Sequence, residues 1–180
     1  MMNGHTGLAP SDWVVRWAQL LAPGCEVLDL ACGHGRHALY LAGLGHRVLA
    51  VDRDPQSLAT IARMERIETL ETDLETGDWP LGRRQFGAVL VTNYLHRPLF
   101  PALLDALDDQ GVLIYETFAK GNERFGKPSN PAFLLAPGEL LELVRGRLHV
   151  IAYEDRYIAQ PKPAQVQRIC ARAADTAPGA

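Results

Sequence analysis

The chain has little cysteine: three residues in 180, at Cys25, Cys32 and Cys170. They are too few for a disulfide framework, and each reads as a small hydrophobe on or beside a strand. No apolar run approaches the roughly 20 residues of a membrane span. The opening residues, MMNGHTGLAPSD, lack a basic stretch followed by an apolar core and do not read as a signal peptide. The expectation is therefore a cytoplasmic protein with no membrane partner. Positive charge is not in excess either, with a formal net charge of -3. Nucleic-acid binding needs a concentrated basic surface, so no nucleic-acid partner is expected. Cys32, His34 and His37 are close in sequence, but no fourth ligand or CxxC pair accompanies them, and no metal is expected.

What is present is an alternation of short apolar runs and helical patterns. The length fits one domain spanning 1–180, with 1–10 and 174–180 expected to be flexible. A helix is expected from Ser11 to Leu21, with Ser11 as its cap and Trp13, Val14, Trp17, Leu20 and Leu21 facing the core. Strands are expected at Glu26–Leu30, His46–Val51, Ile67–Glu71, Phe86–Thr92 and Val112–Thr117. Helices are expected over Gly35–Leu44, from Asp54-Pro55 to about Met64, over Pro98–Leu107 and over Gly138–Arg145. Asp109-Gln110-Gly111 reads as a turn. Gly121–Pro137 is the longest irregular stretch, and such loops are usually functional or disordered. Leu148–Ile158 and Gln165–Arg172 read as an antiparallel pair at the sheet edge. The order implies an α/β, doubly wound, Rossmann-like seven-stranded sheet, mostly parallel, with an antiparallel C-terminal hairpin.

The densest chemical signal is Val27–Ala42, VLDLACGHGRHALYLA. It reads as a buried strand, a glycine turn and an amphipathic helix. Gly33 and Gly35 let a ligand approach bare backbone, and the amides after Gly35 are free donors of a helix start. Asp29, Asp52 and Asp73 stand at the ends of three successive strands, which line one crevice in a doubly wound sheet. Asp52 lies 17 residues after Gly35, near the spacing at which a carboxylate accepts from ribose hydroxyls. Asp73 is then within reach of an adenine amino group. Together the three carboxylates outline an adenosyl group attached to a cation.

These residues resemble the class I S-adenosylmethionine-dependent methyltransferases, over about Trp13 to Arg172. Asp29, Gly33 and Gly35 match the family's acidic-and-glycine motif, with Ala31 in place of its first glycine. The resemblance implies S-adenosylmethionine as cofactor and S-adenosylhomocysteine as product. It places Asp29 and Gly33 near the methionine part, Asp52 on the ribose, Asp73 with Leu74 on the adenine, and Asn93 and Tyr94 at the methionine and methyl end, with Ala31, Gly35 and Arg53 also expected among the cofactor-binding residues. Arg16, on the first helix, is expected to meet the methionine carboxylate. The segments GRHALYLA, NYLHRPLF, ETFAKGNERFGKP and NPAFLLAPGELL resemble a small bacterial branch similar to tellurite-resistance methyltransferases, a likeness that says little about the acceptor.

The function expected is in-line methyl transfer to a small-molecule acceptor by a monomer or homodimer. His96, Glu116 and Tyr94 are the candidate catalytic residues, His96 as a base if the acceptor must lose a proton. Arg97 is expected to bind an anionic acceptor or to pair with Glu116. Arg124, Phe125 and Lys127 are expected to offer cations and an aromatic ring to the acceptor from the long loop. One alternative is a non-catalytic S-adenosylmethionine sensor or scaffold. Another is a nicotinamide dinucleotide fold, because Gly33 to Ala38 also fits G-x-G-x-x-A. Asp29 beside a pyrophosphate weighs against that second reading.

Overall fold

The computed structural model describes residues 9–173. Within them the chain builds one sheet of seven strands, ordered β3-β2-β1-β4-β5-β7-β6. The strands are β1 (Glu26–Leu30), β2 (Arg47–Asp52), β3 (Ile67–Glu71), β4 (Phe86–Thr92), β5 (Leu107–Phe118), β6 (Leu148–Ile158) and β7 (Ala164–Ala173). The first five are parallel; β7 runs antiparallel between β5 and β6. The expected hairpin is therefore present, with β7 on the inside and β6 at the edge.

The helices are short: α1 (Asp12–Trp17), α2 (Arg36–Gly43), α3 (Pro55–Ala59), α4 (Phe100–Asp105) and α5 (Glu139–Val144). Helices of this length are stabilised by packing rather than by propensity. Trp13, Val14, Ala38, Leu41 and Leu58 carry α1, α2 and α3 onto one face of the sheet, against Val27, Val48, Leu90 and Ile114. Leu103, Leu104, Leu140 and Val144 carry α4 and α5 onto the other, against Leu28, Val89, Leu113 and Tyr115. Ser11 caps α1 by accepting from the Trp13 amide, and Asp54 caps α3 by accepting from Gln56.

Several expected elements differ. The helix expected over Ser11–Leu21 is α-helical only to Trp17, with a 3-10 turn at Ala18–Leu20, and that expected over Pro98–Leu107 is α-helical only over Phe100–Asp105. The helix after Asp54 ends at Ala59, and the residues to Met64 form turns instead. The turn at Asp109–Gly111 is not a break: it lies inside β5 as a bulge, where Phe86 pairs with Leu107 but Ala88 already pairs with Val112. The Asp108 carboxylate accepts from the Gln110 amide there, a local bond that reads as a turn in sequence. No helix among the described residues is long and apolar enough to cross a membrane. The segment 174–180 and most of 1–10 lie outside the described residues.

Glu116, Arg168 and Glu154 form a row of opposite charges across β5, β7 and β6. Arg168 Nε lies 2.5 Å from Glu116 Oε2, with both side chains largely buried, and the guanidinium sits 5.8 Å from the Trp13 ring centroid. Glu154 adds a 3.5 Å contact from the edge strand. Breaking such a pair leaves an uncompensated buried charge. Arg168→Leu is expected to cost about 3 to 5 kcal/mol in urea unfolding, and Glu116→Leu in the same chain to recover most of it.

Candidate active site at the carboxyl ends of the parallel strands

The order of the sheet reverses between β1 and β4, and the crevice at such a switch point is where open α/β sheets hold ligands. Two non-glycine residues flank it in the left-handed region, Ala31 after β1 (φ 54°) and Asn93 after β4 (φ 55°). Backbone strain of this kind costs on the order of 1 kcal/mol and clusters at functional sites. Ala31 is thus tolerated at a position whose conformation favours glycine. Gly33 also has positive φ, and a Cβ added to it would meet only open space, so its backbone is bare toward the crevice. Gly35 has a different reason: its φ is 71°, and a Cβ would strike Ile61 at 2.5 Å.

Asp52 holds this turn to the end of β2. Its Oδ2 accepts from the Gly33 amide at 2.8 Å, and its Oδ1 accepts from the Asp54 amide at 2.9 Å. Asp73 does a similar service after β3, accepting from the Glu75 amide. Between them lies a cleft of about 190 Å³ bounded by Ala31, Asp52, Arg53, Asp73, Leu74 and Tyr94. They include the residues that the sequence assigned to the ribose and the adenine, and Tyr94 from the methyl end.

Asp29 is placed differently from an open lip. It is fully buried, and neither carboxylate oxygen has a hydrogen-bond partner among the described residues. Burial pushes its pKa up to about 7, opposed by the Ala38 backbone N–H, which falls short of hydrogen-bond geometry, and by Arg36. The start of α2 therefore already faces a carboxylate of the chain itself. A pyrophosphate would have to share that end with Asp29 and Asp52, which weighs against the dinucleotide alternative.

His37 makes a structural contact beneath the site that sequence reasoning did not find. Its Nε2 accepts from the Ser11 amide at 3.1 Å, which leaves the proton on Nδ1, 3.3 Å from the Thr92 hydroxyl. The ring joins the cap of α1 to the end of β4. Burial, reinforced by Arg36, pushes its pKa down to about 3, so it is neutral at ordinary pH. Among the described residues no group of three or more His, Cys, Asp and Glu is arranged to hold a metal ion.

A second cleft, of about 210 Å³, continues from the first past Tyr94 and Glu75. Its other walls are Asn93, Leu95, Thr117, Phe118, Pro128 and Phe133. Tyr94 is the wall residue and Tyr115 the core residue; the Tyr115 hydroxyl donates to the Tyr94 carbonyl at 2.9 Å. The Tyr94 hydroxyl is buried without a partner, and burial, Glu75 and Asp73 push its pKa up to about 12.

Several candidate residues are engaged elsewhere. Arg97 pairs with Glu139, not with Glu116, at 2.6 Å and 2.9 Å. It also donates to the carbonyls of Ala132 and Leu134 and so fixes the loop segment that carries Phe133. Glu116 is committed to Arg168. His96 precedes the 3-10 turn Arg97–Leu99 and belongs to the lining of neither cleft. Arg124, Phe125 and Lys127 are exposed and line neither cleft; the Phe125 ring packs 5.1 Å from Tyr157. The loop instead offers Pro128 and Phe133, because buried Asn122 donates to the Pro128 carbonyl and accepts from the Gln165 amide. Arg16 is exposed and lies 4.9 Å over the Trp17 ring.

With this geometry the likeness to known proteins has a structural meaning. Residues 8–86 match the family model described as tellurite resistance protein TehB. The probable S-adenosyl-L-methionine-dependent methyltransferase TehB of Haemophilus influenzae is 42% identical over 57 residues, 32% of this chain and 20% of that protein. The crystal structure of TehB from Haemophilus influenzae superposes with a TM-score of 0.75 at 21% identity, over 89% of this chain and 61% of that one. The chain is similar to the TehB branch of S-adenosylmethionine-dependent methyltransferases. It spans about a fifth of the curated relative's length, and the matched family segment covers β1 through the start of β4. A further structure, the 1,6-didemethyltoxoflavin-N1-methyltransferase of Burkholderia thailandensis with bound 1,6-didemethyltoxoflavin and S-adenosylhomocysteine, superposes with a TM-score of 0.66 at 23% identity, over 91% of this chain and 76% of that one. The fold shared with these structures thus extends over about nine-tenths of the chain, well beyond the residues 8–86 that the family model matches.

Asp29 and His37 titrate with opposite consequences. Asp29, raised, is most favourable to the fold below the ordinary carboxylate range, and that contribution is lost as pH rises through about 7. His37, lowered, contributes most above its ordinary 6.5, and that contribution is lost as pH falls toward about 3. Asp29→Asn is expected to stabilise the protein at pH 8 by about 1 to 3 kcal/mol, the cost of an unpartnered buried group, and to change little at pH 4. Urea unfolding at the two pH values measures the difference.

Proposed function

We propose that the chain is an S-adenosylmethionine-dependent methyltransferase acting on a small-molecule acceptor. The observation that carries this reading is a pair of contiguous clefts at the switch point, one walled by Ala31, Asp52, Asp73 and Leu74, the other by apolar residues beyond Tyr94. The first suits an adenosyl group. Leu74 offers an apolar surface to the base, and Asp52 has lone pairs beyond those used by Gly33 and Asp54 for ribose hydroxyls. The bare Gly33 backbone leaves room for the methionine part. The acidic surroundings favour the cationic sulfonium and ammonium groups. The family similarity of residues 8–86 supports the same cofactor.

S-adenosylmethionine, when bound, supplies a methyl group already activated for displacement. What the chain adds is position. Asp52 and the Ala31–Gly35 turn hold the donor, while Tyr94 lines both clefts and Asn93 lines the second. Holding both partners at near-attack distance is worth about 7 to 11 kcal/mol of barrier. Because the second cleft adjoins the first, transfer is favoured over a purely sensing role. His96 and Glu116 are assigned no proton transfer, since neither lines a cleft and Glu116 is paired.

Asp52→Ala is expected to weaken S-adenosylmethionine binding by about tenfold or more in calorimetry, because it removes both the ribose acceptor and the clamp on Gly33. NADP is expected to give no saturable isotherm with the unaltered protein. Unchanged affinity in the variant, or saturable NADP binding, would overturn the assignment.

A further inference from the structure

The second cleft carries more information than its position. Its walls include Leu95, Phe118, Pro128 and Phe133, and Phe133 is 48% exposed although it is held in place by the Arg97 bonds on either side of it. No lysine, arginine or histidine lines it. The one ionisable carboxylate is Glu75, whose side chain makes no hydrogen bond or ion pair among the described residues. The partnerless Tyr94 hydroxyl lies at the junction with the adenosyl cleft. Of the cations near it, Arg97 pairs with Glu139, Arg168 pairs with Glu116, Arg124 and Lys127 lie on the outer surface, and Arg53 lines the first cleft and not this one.

Resting on the methyltransferase reading, we infer that the acceptor is a small, uncharged, flat aromatic amine or nitrogen heterocycle, not an oxyanion or carboxylate. An anion would enter an apolar cleft that offers a carboxylate and no counter-charge, an unfavourable transfer. An aromatic ring instead gains contact with Phe133, Pro128 and Phe118. The nitrogen lone pair forms the new N–C bond as the C–S bond breaks, with that bonding pair staying on sulfur. The nitrogen becomes positive in this step, and Glu75 is the group that stabilises the charge as it develops. An N–H acceptor then gives its proton to the Glu75 carboxylate and on to water. A ring nitrogen without hydrogen stays cationic. No base is needed before attack, which fits a cleft lined by neither His96 nor Glu116.

The test compares neutral aromatic nitrogen compounds with an aromatic carboxylate and an inorganic oxyanion. Aniline, quinoline, benzoate and tellurite are titrated by calorimetry into protein saturated with S-adenosylhomocysteine. Their turnover with S-adenosylmethionine is followed by S-adenosylhomocysteine release. Aniline or quinoline is expected to bind about tenfold or more tightly than benzoate. Glu75→Gln should shrink that gap severalfold, and Phe133→Ala should weaken the aromatic ligands. Binding of benzoate or tellurite as tight as that of the amines, preferential turnover of an anion, or no binding of either amine overturns the inference. In those cases S-adenosylmethionine binding, measured on the same samples, shows whether the methyltransferase reading still stands. Failure to bind the cofactor at all would remove both.

Discussion

The two hydrogen bonds accepted by Asp52 are the interaction on which the rest of the site depends. They join the turn after β1 to the turn after β2, across strands paired in parallel register from Glu26 with Arg47 to Leu30 with Val51. Together with the Cys32 amide, which donates to the Val51 carbonyl at 3.0 Å, that clamp holds a turn containing Ala31, Gly33 and Gly35 in left-handed conformations. With it, bare backbone, a carboxylate and the start of α2 are fixed around one space. The parallel sheet does the remainder, because β1, β2, β3 and β4 all end on the same side.

Charge is distributed unevenly around this centre. At the first cleft, Asp52 and Asp73 serve both the backbone and the cleft wall, and Arg53 stands beside them. Beneath the turn, Asp29 is shut away from water and His37 is held neutral between Ser11 and Thr92. Around the second cleft, positive charge is absorbed into structure. Arg97 secures the 131–134 segment and Arg168 the β5-β7-β6 row. Guanidinium groups suit such multi-partner roles through their fixed fork of donors. The consequence is a second cleft lined mostly by apolar and neutral residues, with Glu75 as its one carboxylate.

The long loop illustrates how tethering decides what a segment presents. Its composition suggested cations facing a ligand, but Asn122 and Arg97 grip it from both ends. The Lys120 amide also donates to the Leu135 carbonyl, and the Leu135 amide to the Phe118 carbonyl. These anchors turn Pro128 and Phe133 inward and leave Arg124, Phe125 and Lys127 outside. The loop is a built wall of the cleft.

Much of the frame was legible in the residue order. Periodicity located β1, β3, β4 and β6 at their observed bounds, and the caps at Ser11 and Asp54 are local bonds that short motifs encode. The same is true of the glycine turn and of Asp52 and Asp73, whose positions follow from where parallel strands end. The partners of Arg97, Glu116 and His37 were not legible, because each bond spans between 26 and 55 residues of chain. Nor was the burial of Asp29, which depends on α2 closing over it, or the bulge in β5, which depends on its register with β4. Local sequence determined the elements and the donor cradle through backbone preferences that act over a few residues. Only the tertiary structure decided which charges are spent on one another, and therefore what the acceptor cleft has left to offer.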